Sequence, residues 1–241
     1  MPQIPHKFLT FNQLQPKTTE SSKATTSKVP TKAPAAASAT ASKKAPANTP
    51  HTFESHYVRG QVLGEGAYSQ AVTCTNKFDP SKKYACKITR KAGLQSAEDI
   101  ASIVGEIEIL KKLHHQSIVG FIDNFEDTDS YYVILELMQG GELFDRIVQK
   151  TQYNEGEARD IFIVIMKGLK FLHDNNIVHR DLKPENLLML NDHDDAAVKI
   201  ADFGFAKICN GLNLTTQCGS PGYVAPEILM RMKYGTLFAR S

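Results

Sequence analysis

The chain has 241 residues, of which 41% are hydrophobic, so it is long and apolar enough to bury at least one core. Its longest uninterrupted apolar run, residues 161–166, is far too short to cross a bilayer, and the N-terminus lacks the apolar segment of a secretory signal. These features exclude a membrane-spanning or secreted chain. They predict a soluble intracellular protein, located in the cytoplasm with the nucleus left open.

The charge is unevenly distributed along the chain, although the net charge is only +2. Residues 1–50 contain seven Lys and one Glu, so the rest of the chain carries a net negative charge. A negative folded part argues against nucleic acid as a partner. The cysteines are widely spaced and form no CxxC pair, which predicts reduced thiols rather than a zinc site or a disulfide framework. They are Cys74, Cys86, Cys209 and Cys218.

Residues 1–52 are the first predicted segment, a flexible tail rich in Lys, Ala, Pro and Thr. Between Pro16 and Pro50 the tail has almost no large apolar residue, so it cannot offset its own ordering entropy. Its lysines could contact acidic partners or phosphoinositides, but a solvated linker is the favoured interpretation.

Three runs rich in β-branched and aromatic residues follow and predict a β-sheet. They are YVRGQVL (57–63), YACKIT (84–89) and YYVILE (131–136). Between the second and third runs, apolar residues recur at helical spacing behind a capping pair formed by Ser96 and Asp99. The apolar positions are Ile100, Ile103, Val104, Ile107 and Leu110. We therefore expect one amphipathic helix packed on the sheet.

A second helix is predicted from the capping pair Asn154 and Glu157 to a stop near Asn175 and Asn176. Its apolar face comprises Ala158, Ile161, Phe162, Ile165, Leu169 and Leu172. The chain thus runs from a β-rich half to an α-rich half, and a cleft between two such halves is a usual place for a ligand.

The first chemical signal is the segment LGEGAYSQA (63–71), in which Gly64 and Gly66 allow backbone N–H groups to approach phosphate oxygens closely. By itself this segment also fits a glycine-containing hairpin without a ligand. Lys87 lies in the second predicted strand and Glu106 on the inward side of the first helix. The two can form an ion pair that directs the ammonium to phosphates, although either residue alone also fits a solvated surface charge.

The most specific string is IVHRDLKPENLL (177–188), which sets Asp181, Lys183 and Asn186 at fixed offsets in a predicted loop. A phosphoryl transfer needs a carboxylate to orient the attacking hydroxyl, a cation for the migrating phosphate and an oxygen ligand for a metal. These three residues can supply those groups in that order. The following ADFG (201–204) adds Asp202 as a second hard oxygen ligand, suited to Mg²⁺.

Together these motifs resemble those of eukaryotic Ser/Thr protein kinases over roughly residues 57–227. The resemblance implies an α+β, bilobal protein-kinase-like fold, with a β-rich N-lobe at residues 53–135 and an incomplete α-rich C-lobe at residues 136–241. It implies ATP and Mg²⁺ as cofactors and a Ser or Thr hydroxyl of a protein substrate as the phosphate acceptor. By the same resemblance, Asp181 and Lys183 are the catalytic residues, with Asp181 as the base.

The resemblance also implies which residues hold the metal and the nucleotide. Asn186 and Asp202 would bind Mg²⁺, and Lys87 would contact the α- and β-phosphates with Glu106 as its partner. The segment VILELMQGGELFD (133–145) resembles the hinge, with Leu135 as gatekeeper. The nucleotide-binding residues implied are Leu63, Gly64, Glu65, Gly66, Ala71, Ala85, Lys87, Glu106, Glu136, Met138, Glu142, Glu185 and Leu188.

Two of these residues also concern the substrate. Glu142 resembles the residue that meets the ribose and, in basophilic kinases, an arginine of the substrate. Glu185 lies where those kinases have another carboxylate for the same purpose. The pair implies a preference for substrates with basic residues upstream of the acceptor.

Residues 202–227 resemble an activation segment that ends in CGSPGYVAPE (218–227). This string and DLKPEN resemble Ser/Thr rather than Tyr kinases, and their residues are most similar to those of the calcium/calmodulin-dependent group. Thr216 is at the usual regulatory phosphorylation position, where a phosphate could pair with Arg180; the alternative is a plain polar loop residue. Calmodulin as a partner is not supported, because we find no segment in this chain for an autoinhibitory helix.

The chain departs from the kinase pattern at three points. Ser69 replaces the third glycine of the loop, and Ala71 replaces a valine that usually packs on adenine; both changes are mild. After Glu227 the resemblance implies a longer helical region, whereas only residues 228–241 follow. We therefore expect the C-terminal half to expose apolar surface and the chain to be weakly active or inactive.

Three functions thus stay open at the level of the sequence. The first is an ATP-dependent protein phosphotransferase, favoured because all of the residues that phosphoryl transfer needs are present. The second is an inactive or dominant-negative ATP-binding fragment that acts as an interaction module. The third, a kinase of small molecules, shares the phosphate chemistry but does not explain a segment that resembles a peptide-docking platform.

Overall fold

The computed structural model of the protein describes residues 51–66, 68–150, 153–194, 196–211 and 214–236. These residues form an α+β fold in which a five-stranded antiparallel sheet is followed by a mainly helical part. The tail predicted for residues 1–52 lies outside the described residues, except for its last two, and so does the sequence beyond residue 236.

The sheet has the strand order β1-β2-β3-β5-β4, and every neighbouring pair is antiparallel. The strands are β1 (Tyr57–Glu65), β2 (Ser69–Asn76), β3 (Lys83–Arg90), β4 (Phe121–Glu126) and β5 (Ser130–Glu136). The three predicted strands are confirmed as β1, β3 and β5, each slightly longer than predicted. The edge strand β4 was not predicted, because half of its six residues are polar.

A single helical turn, α1 (Phe53–His56), precedes the sheet, and the longer helix α2 (Ala97–Leu110) packs against it. The predicted capping pair of α2 is confirmed. The Ser96 hydroxyl accepts the Asp99 N–H at 3.1 Å, and the Asp99 carboxylate accepts the Ser96 N–H at 3.0 Å. This exchange fixes where the helix begins and therefore where Glu106 lies on it.

The predicted apolar face of α2 is only partly buried. Ile107 and Leu110 are in the core, whereas Ile100 and Val104 are both exposed. The helix therefore packs on the core through Ile103, Ile107 and Leu110, while two of the five predicted apolar positions are exposed.

The helical part contains α3 (Leu143–Lys150), α4 (Glu155–Asp174) and a final turn, α5 (Pro226–Leu229). The predicted start of α4 is confirmed, since Asn154 Oδ1 accepts the Glu157 N–H at 2.9 Å and Glu157 accepts the Asn154 N–H at 3.1 Å. The stop is also as predicted. Asn175 caps the helix, and Asn176 has a φ of 58°, in the left-handed region that ends helices.

Two members of the predicted apolar face of α4, Ala158 and Phe162, are exposed. Ile161 and Leu172 are buried, and Ile165 and Leu169 pack against the same core. Phe162 is 61% exposed. Tertiary packing sets which side of the first turns of α4 meets the core, and Ile161 rather than Phe162 faces it. The exposed apolar surface predicted for this half is present and includes Phe144, Ile147, Val148, Ile163 and Met166.

Two short antiparallel strand pairs flank the site in the helical part. β6 (Ile177–Val178) pairs with β9 (Lys207–Ile208), and β7 (Leu187–Met189) pairs with β8 (Val198–Ile200). The residues between β6 and β7, and those just after β8, are the loops that carry the predicted catalytic and metal-binding residues.

The largest buried cluster belongs to both halves, since it contains residues of α2, α4, β7 and β8. A smaller cluster lies between α1 and the sheet. The site described below lies at the edge of the shared cluster, between the sheet and the loops after β6 and β8. None of the described helices is long and apolar enough to span a membrane.

Candidate active site

A cavity opens between the sheet and the loops of the helical part. The sheet supplies Leu63, Ala71 and Ala85, and Leu188 and Ala201 lie on the other side. The segment after β5 contributes its edge, and the remaining lining residues are Lys87, Glu106, Leu110, Val119, Leu135, Glu136, Leu137, Met138, Glu185, Asn186, Asp202 and Phe203. The cavity thus has apolar walls and one charged end.

The charged end is organised by Lys87 of β3. Its Nζ lies 2.7 Å from Glu106 Oε1 of α2 and 3.4 Å from Asp202 Oδ1. Burial alone would lower the pKa of Lys87, but the carboxylates of Glu106 and Asp202 raise it above its ordinary value. The ammonium therefore stays charged inside the cavity, as contact with a phosphate requires.

Asp202 keeps its negative charge in the same environment. Burial would raise the pKa of this carboxyl, but the charge of Lys87 and a hydrogen bond from the Gly204 N–H lower it below the usual value. Lys87 and Gly204 both contact Oδ1, so the other carboxylate oxygen is directed elsewhere. Asp202 has a φ of 56°, a left-handed conformation that non-glycine residues rarely adopt.

The loop after β6 holds Asp181 in a network of side chains. Asp181 Oδ1 accepts the Ser220 hydroxyl at 2.7 Å, and Oδ2 lies 3.1 Å from Lys183 Nζ. Lys183 Nζ also donates to Ser220 Oγ at 2.6 Å. Asn186 Nδ2 donates to the Asp181 backbone carbonyl at 2.7 Å and to Oδ2 at 3.1 Å. The carboxylate is therefore fixed by neighbours on both of its oxygens.

The Ser220 contact is a part of the site that the sequence analysis missed. Ser220 belongs to the string GSPGY, which was interpreted as part of an activation segment of the Ser/Thr type and of a docking platform, without a role for the serine itself. Its hydroxyl contacts both Asp181, 39 residues earlier in the sequence, and Lys183, 37 residues earlier. The serine in that string was the available signal, but its partner could not be found without the fold.

His179 is buried and contacts the backbone of Asp181. The Asp181 N–H donates to Nδ1 at 3.3 Å, so Nε2 carries the hydrogen and donates to the Ala201 carbonyl at 3.0 Å. Burial lowers the pKa of His179, which keeps the ring neutral in this arrangement. The histidine thus links the loop of Asp181 to the residue before Asp202.

The donor set at the charged end fits a divalent cation such as Mg²⁺. Asn186 uses its amide nitrogen on Asp181, which turns its carbonyl oxygen away from that partner. Asp202 adds a hard carboxylate oxygen. Among the described residues no group of three or more His, Cys, Asp or Glu forms a metal cage. Mg²⁺ is usually held by one or two protein oxygens together with substrate phosphates, so this limited set is suitable.

The segment after β5 is held by a contact that the sequence did not indicate. Glu136 accepts two hydrogen bonds from Lys199 of β8, at 2.7 and 2.9 Å, and one from the Gly120 N–H at 3.1 Å. The Glu136 N–H donates to the Gly120 carbonyl at 2.8 Å. The predicted nucleotide residue Glu136 therefore ties the sheet to the helical part with its side chain. Met138 lies two residues further along the cavity edge.

The glycine loop contributes less to the cavity than the sequence suggested. Leu63 and Ala71 line it, but Gly64, Glu65 and Gly66 are not among its lining residues. Gly64 pairs with Ala71 in the β1–β2 ladder. The carboxylate of Glu65 accepts from the Gln70 side chain at 2.5 Å, outside the cavity.

The two acidic residues predicted to contact substrate differ in position. Glu185 lines the cavity, and its Oε2 is buried without a hydrogen-bond partner among the described residues. Glu142 is buried beside Leu188, to which its backbone is bridged, and does not line the cavity. Thr216, the predicted phosphorylation position, is exposed on the segment that also carries Ser220.

Comparison with known proteins agrees with this geometry. A family model described as protein kinase domain matches residues 57–238. The chain is 43% identical over 182 residues to a calcium/calmodulin-dependent protein kinase type 1 of Macrobrachium nipponense, which covers 76% of this chain and 52% of that protein. It is 42% identical over 184 residues to the enzyme of the same name in Caenorhabditis elegans, covering 76% and 52%.

A third relative, the calcium/calmodulin-dependent protein kinase cmkB of Emericella nidulans, is 40% identical over 195 residues, covering 79% of this chain and 48% of that protein. The chain spans about half the length of these curated relatives. The family model covers well over half of the chain, and the residues around the cavity fall within its limits. The chain belongs to the protein kinase domain family, with relatives in the calcium/calmodulin-dependent group.

Proposed function

We propose that this protein transfers the γ-phosphate of ATP to Ser or Thr hydroxyls of protein substrates. The observation that carries the proposal is a pair of side-chain networks linked by Asn186, which lines the cavity and donates to Asp181. Lys87, Glu106 and Asp202 form the first, and Asp181, Lys183 and Ser220 form the second. An adenine ring fits between the apolar walls of such a cavity, with its phosphates directed to the charged end.

The chemistry follows from the groups at that end. Asp181 is fixed so that it can orient a substrate hydroxyl and accept its proton. The hydroxyl oxygen forms a bond to the γ-phosphorus while the bond from that phosphorus to the ADP oxygen breaks. Lys87 and Lys183 stabilise the negative charge that is distributed over the phosphate oxygens.

A divalent cation is part of the proposal, with Mg²⁺ as the favoured ion. Asn186 and Asp202 would hold it. When bound, it neutralises phosphate charge during the transfer.

Protein substrates with basic residues upstream of the acceptor are the finer part of the proposal. Glu185 supports it, because a carboxylate oxygen buried without a hydrogen bond is costly and a substrate guanidinium would supply the missing donors. We propose neither calmodulin, which appears in the names of relatives, nor an upstream activator as a partner of this protein.

The test is phosphotransfer by the purified chain from Mg·ATP to a basic peptide and to its alanine-substituted version. We expect transfer to the basic peptide and a rise in melting temperature on addition of Mg·ATP. Asp181→Asn should lower kcat by roughly 10²- to 10⁴-fold, the usual contribution of a positioned acid or base, and should keep the thermal shift. Asp202→Ala should lose both. Asp160→Ala, an exposed carboxylate of α4, is the matched control and should behave like the parent.

The outcomes separate the alternatives. A thermal shift without transfer in the parent chain would favour an ATP-binding interaction module over an enzyme. Equal rates with the basic and the alanine peptide would contradict only the substrate preference. Transfer that survives in Asp181→Asn would contradict the assigned base.

A further inference from the structure

A buried tyrosine beyond α5 holds the activation segment in place. Tyr234 is only 5% exposed and packs with Cys209 and Leu214 in a small cluster of its own. Its backbone pairs with Leu214 in both directions, with N···O distances of 2.9 and 3.1 Å. The ring is therefore fixed relative to the segment that precedes Thr216.

The phenol group connects that segment to the loop of the proposed catalytic base. Tyr234 Oη donates to the Thr216 backbone carbonyl at 2.7 Å and accepts from Arg180 Nη1 at 3.3 Å. Arg180 Nε donates to the Phe205 carbonyl at 2.6 Å. Arg180 immediately precedes Asp181, so one hydroxyl joins the catalytic loop to the middle of the activation segment.

The direction of these hydrogen bonds follows from the chemistry of a phenol. Burial raises the pKa of Tyr234 against the opposing effect of Arg180, so the hydroxyl keeps its proton at neutral pH. A phenol has one hydrogen, and the short bond to the Thr216 carbonyl uses it. The Cys218 thiol, 3.6 Å from Oη, is then the donor in its own contact with Tyr234. Cys218 lies two residues before Ser220, which touches Asp181 and Lys183.

We propose that Tyr234 is a positioning residue whose hydroxyl holds the activation segment against the catalytic loop without a phosphate on Thr216. It acts through Arg180 and through the segment that carries Ser220. The effect on turnover rests on the proposed kinase function, whereas the effect on the segment does not.

The position of Thr216 explains why no phosphate is needed for this contact. Its side chain is exposed, and the contact with Tyr234 uses only its backbone carbonyl. Arg180, the predicted partner of a phosphate, already donates to Tyr234 and Phe205. The carbonyl is present whatever the side chain at 216, so removal of that side chain should leave the contact intact.

The experiment compares Tyr234→Phe with Thr216→Ala and Tyr132→Phe in the full chain. Mass spectrometry first establishes that Thr216 is unphosphorylated. Tyr132→Phe is the matched control, because it removes a hydroxyl with an equally short 2.7 Å hydrogen bond, to Asp127 at the β4–β5 turn.

The main measurement is the rate at which N-ethylmaleimide alkylates Cys218, determined by mass spectrometry of the peptide that contains it. Cys74 and Cys86, which are buried in the sheet and distant from the Tyr234 cluster, are internal references.

Tyr234→Phe should raise the alkylation rate of Cys218 about ten-fold, as expected for the loss of a hydrogen bond to a charged group. Thr216→Ala and Tyr132→Phe should leave it unchanged. In the phosphotransfer assay, Tyr234→Phe should lower kcat and raise KM for the peptide while KM for ATP stays constant, because the nucleotide is held by other elements. A general loss of structure would change all three constants.

The proposal is overturned if Cys218 reacts equally fast in Tyr234→Phe and the parent, or if Thr216→Ala has the same effect as Tyr234→Phe. It is also overturned if Cys74 and Cys86 become as reactive as Cys218, since the change would then be global. If no variant or parent transfers phosphate but Cys218 still becomes selectively reactive, the proposed function fails while the positioning role stands.

Discussion

At the scale of single residues, the two buried lysines of the site stay charged because each has neighbours of complementary charge or hydrogen-bonding capacity. Lys87 lies between Glu106 and Asp202, and Lys183 lies between Asp181 and Ser220. A buried charge that loses its partner is strongly destabilising, so these networks constrain the positions of the elements that carry them. Their residue types and the pairing of Lys87 with Glu106 were predicted from the sequence, whereas the contacts of Lys87 with Asp202 and of Asp181 and Lys183 with Ser220 were not.

Backbone conformation adds a second residue-scale constraint. Arg180 and Asp202 have φ values of 67° and 56°, which non-glycine residues rarely adopt. Both adjoin the proposed chemistry, since Arg180 precedes Asp181 and Asp202 carries a metal-ligand oxygen. Such conformations persist only where the surrounding contacts hold them, here the bonds of Arg180 to Phe205 and Tyr234 and of Asp202 to Lys87.

His179 makes the stability of the site depend on pH. Its folded pKa lies below the ordinary value of 6.5 because of burial, while Asp202, Asp181 and Lys183 are the charged groups that act on it. The unfolded chain therefore binds a proton that the folded chain does not, and stability is lost as pH falls below about 6.5. The loss for one group is at most about 1.4 kcal/mol per pH unit.

We expect His179→Gln to reduce the slope of the unfolding free energy between pH 6.5 and 5.5, measured by urea denaturation. Some slope should remain, because burial also lowers the pKa of His115. The exposed His193, changed to Gln, is the control and should leave the slope as it is. An unchanged slope in His179→Gln would mean that the ring is not held neutral by its site.

At the scale of the elements, local signals set where the helices begin. Ser96 and Asp99 cap α2, and Asn154 and Glu157 cap α4, both as predicted. These motifs use residues within three positions of each other, so they form whatever the rest of the fold does. The extent of burial along each helix depends instead on distant neighbours, and that is where Phe162 was assigned wrongly.

Two helical glycines show the same division between local and tertiary effects. An added Cβ at Gly105 of α2 would meet nothing within 4 Å. At Gly168 of α4 it would lie 2.9 Å from Ile200 Cδ1 and 3.1 Å from Ser117 Cβ. Ile200 and Ser117 are themselves buried, so they have little room to move.

We therefore expect Gly105→Ala to raise the free energy of unfolding by up to about 1 kcal/mol, from helix propensity alone. Gly168→Ala should lower it by roughly 1–3 kcal/mol, because overpacking exceeds the gain in propensity. Thermal or urea unfolding of the two variants beside the parent measures both effects. If both variants changed stability in the same direction by the same amount, close packing at Gly168 would not be the cause.

At the scale of the whole molecule, the sheet and the helical part are joined by shared packing and by ion pairs. The largest core cluster includes Ile107 of α2 and Leu172 of α4. Lys199 of β8 reaches Glu136 at the end of β5, and Lys87 of β3 reaches Asp202. The cavity lies between parts that are held at several points rather than by one flexible connection.

This shared core predicts that a cavity made in α4 destabilises the whole described fold. Leu172 is completely buried, so Leu172→Ala should cost roughly 2–5 kcal/mol in one transition that is seen both by circular dichroism and by loss of ATP binding. Phe162→Ala on the same helix removes an exposed ring and should cost far less. Two separate transitions in Leu172→Ala would contradict a common core.

The sequence by itself determined the fold class, the main strands and the starts of α2 and α4. It also determined the types of the residues predicted for catalysis and for metal and nucleotide binding. The strands and helix starts depend on neighbours in sequence, such as β-branched and aromatic runs and capping pairs. The fold class and the roles of the site residues followed from the resemblance of the motifs to those of protein kinases. The sequence also placed Asp181 and Lys183 in a loop, where the structure has them, whereas Asn186, predicted in the same loop, ends a short 3₁₀ helix (Pro184–Asn186).

Only the tertiary structure decided which groups contact one another across long separations. Ser220 reaches Asp181 across 39 residues, Lys199 reaches Glu136 across 63, and Arg180 reaches Tyr234 across 54. No local pattern encodes such pairings, because they arise from the packing of elements that are distant in sequence. For the same reason the exposure of Phe162 and the close approach at Gly168 were set by the core and not by the periodicity of the helix.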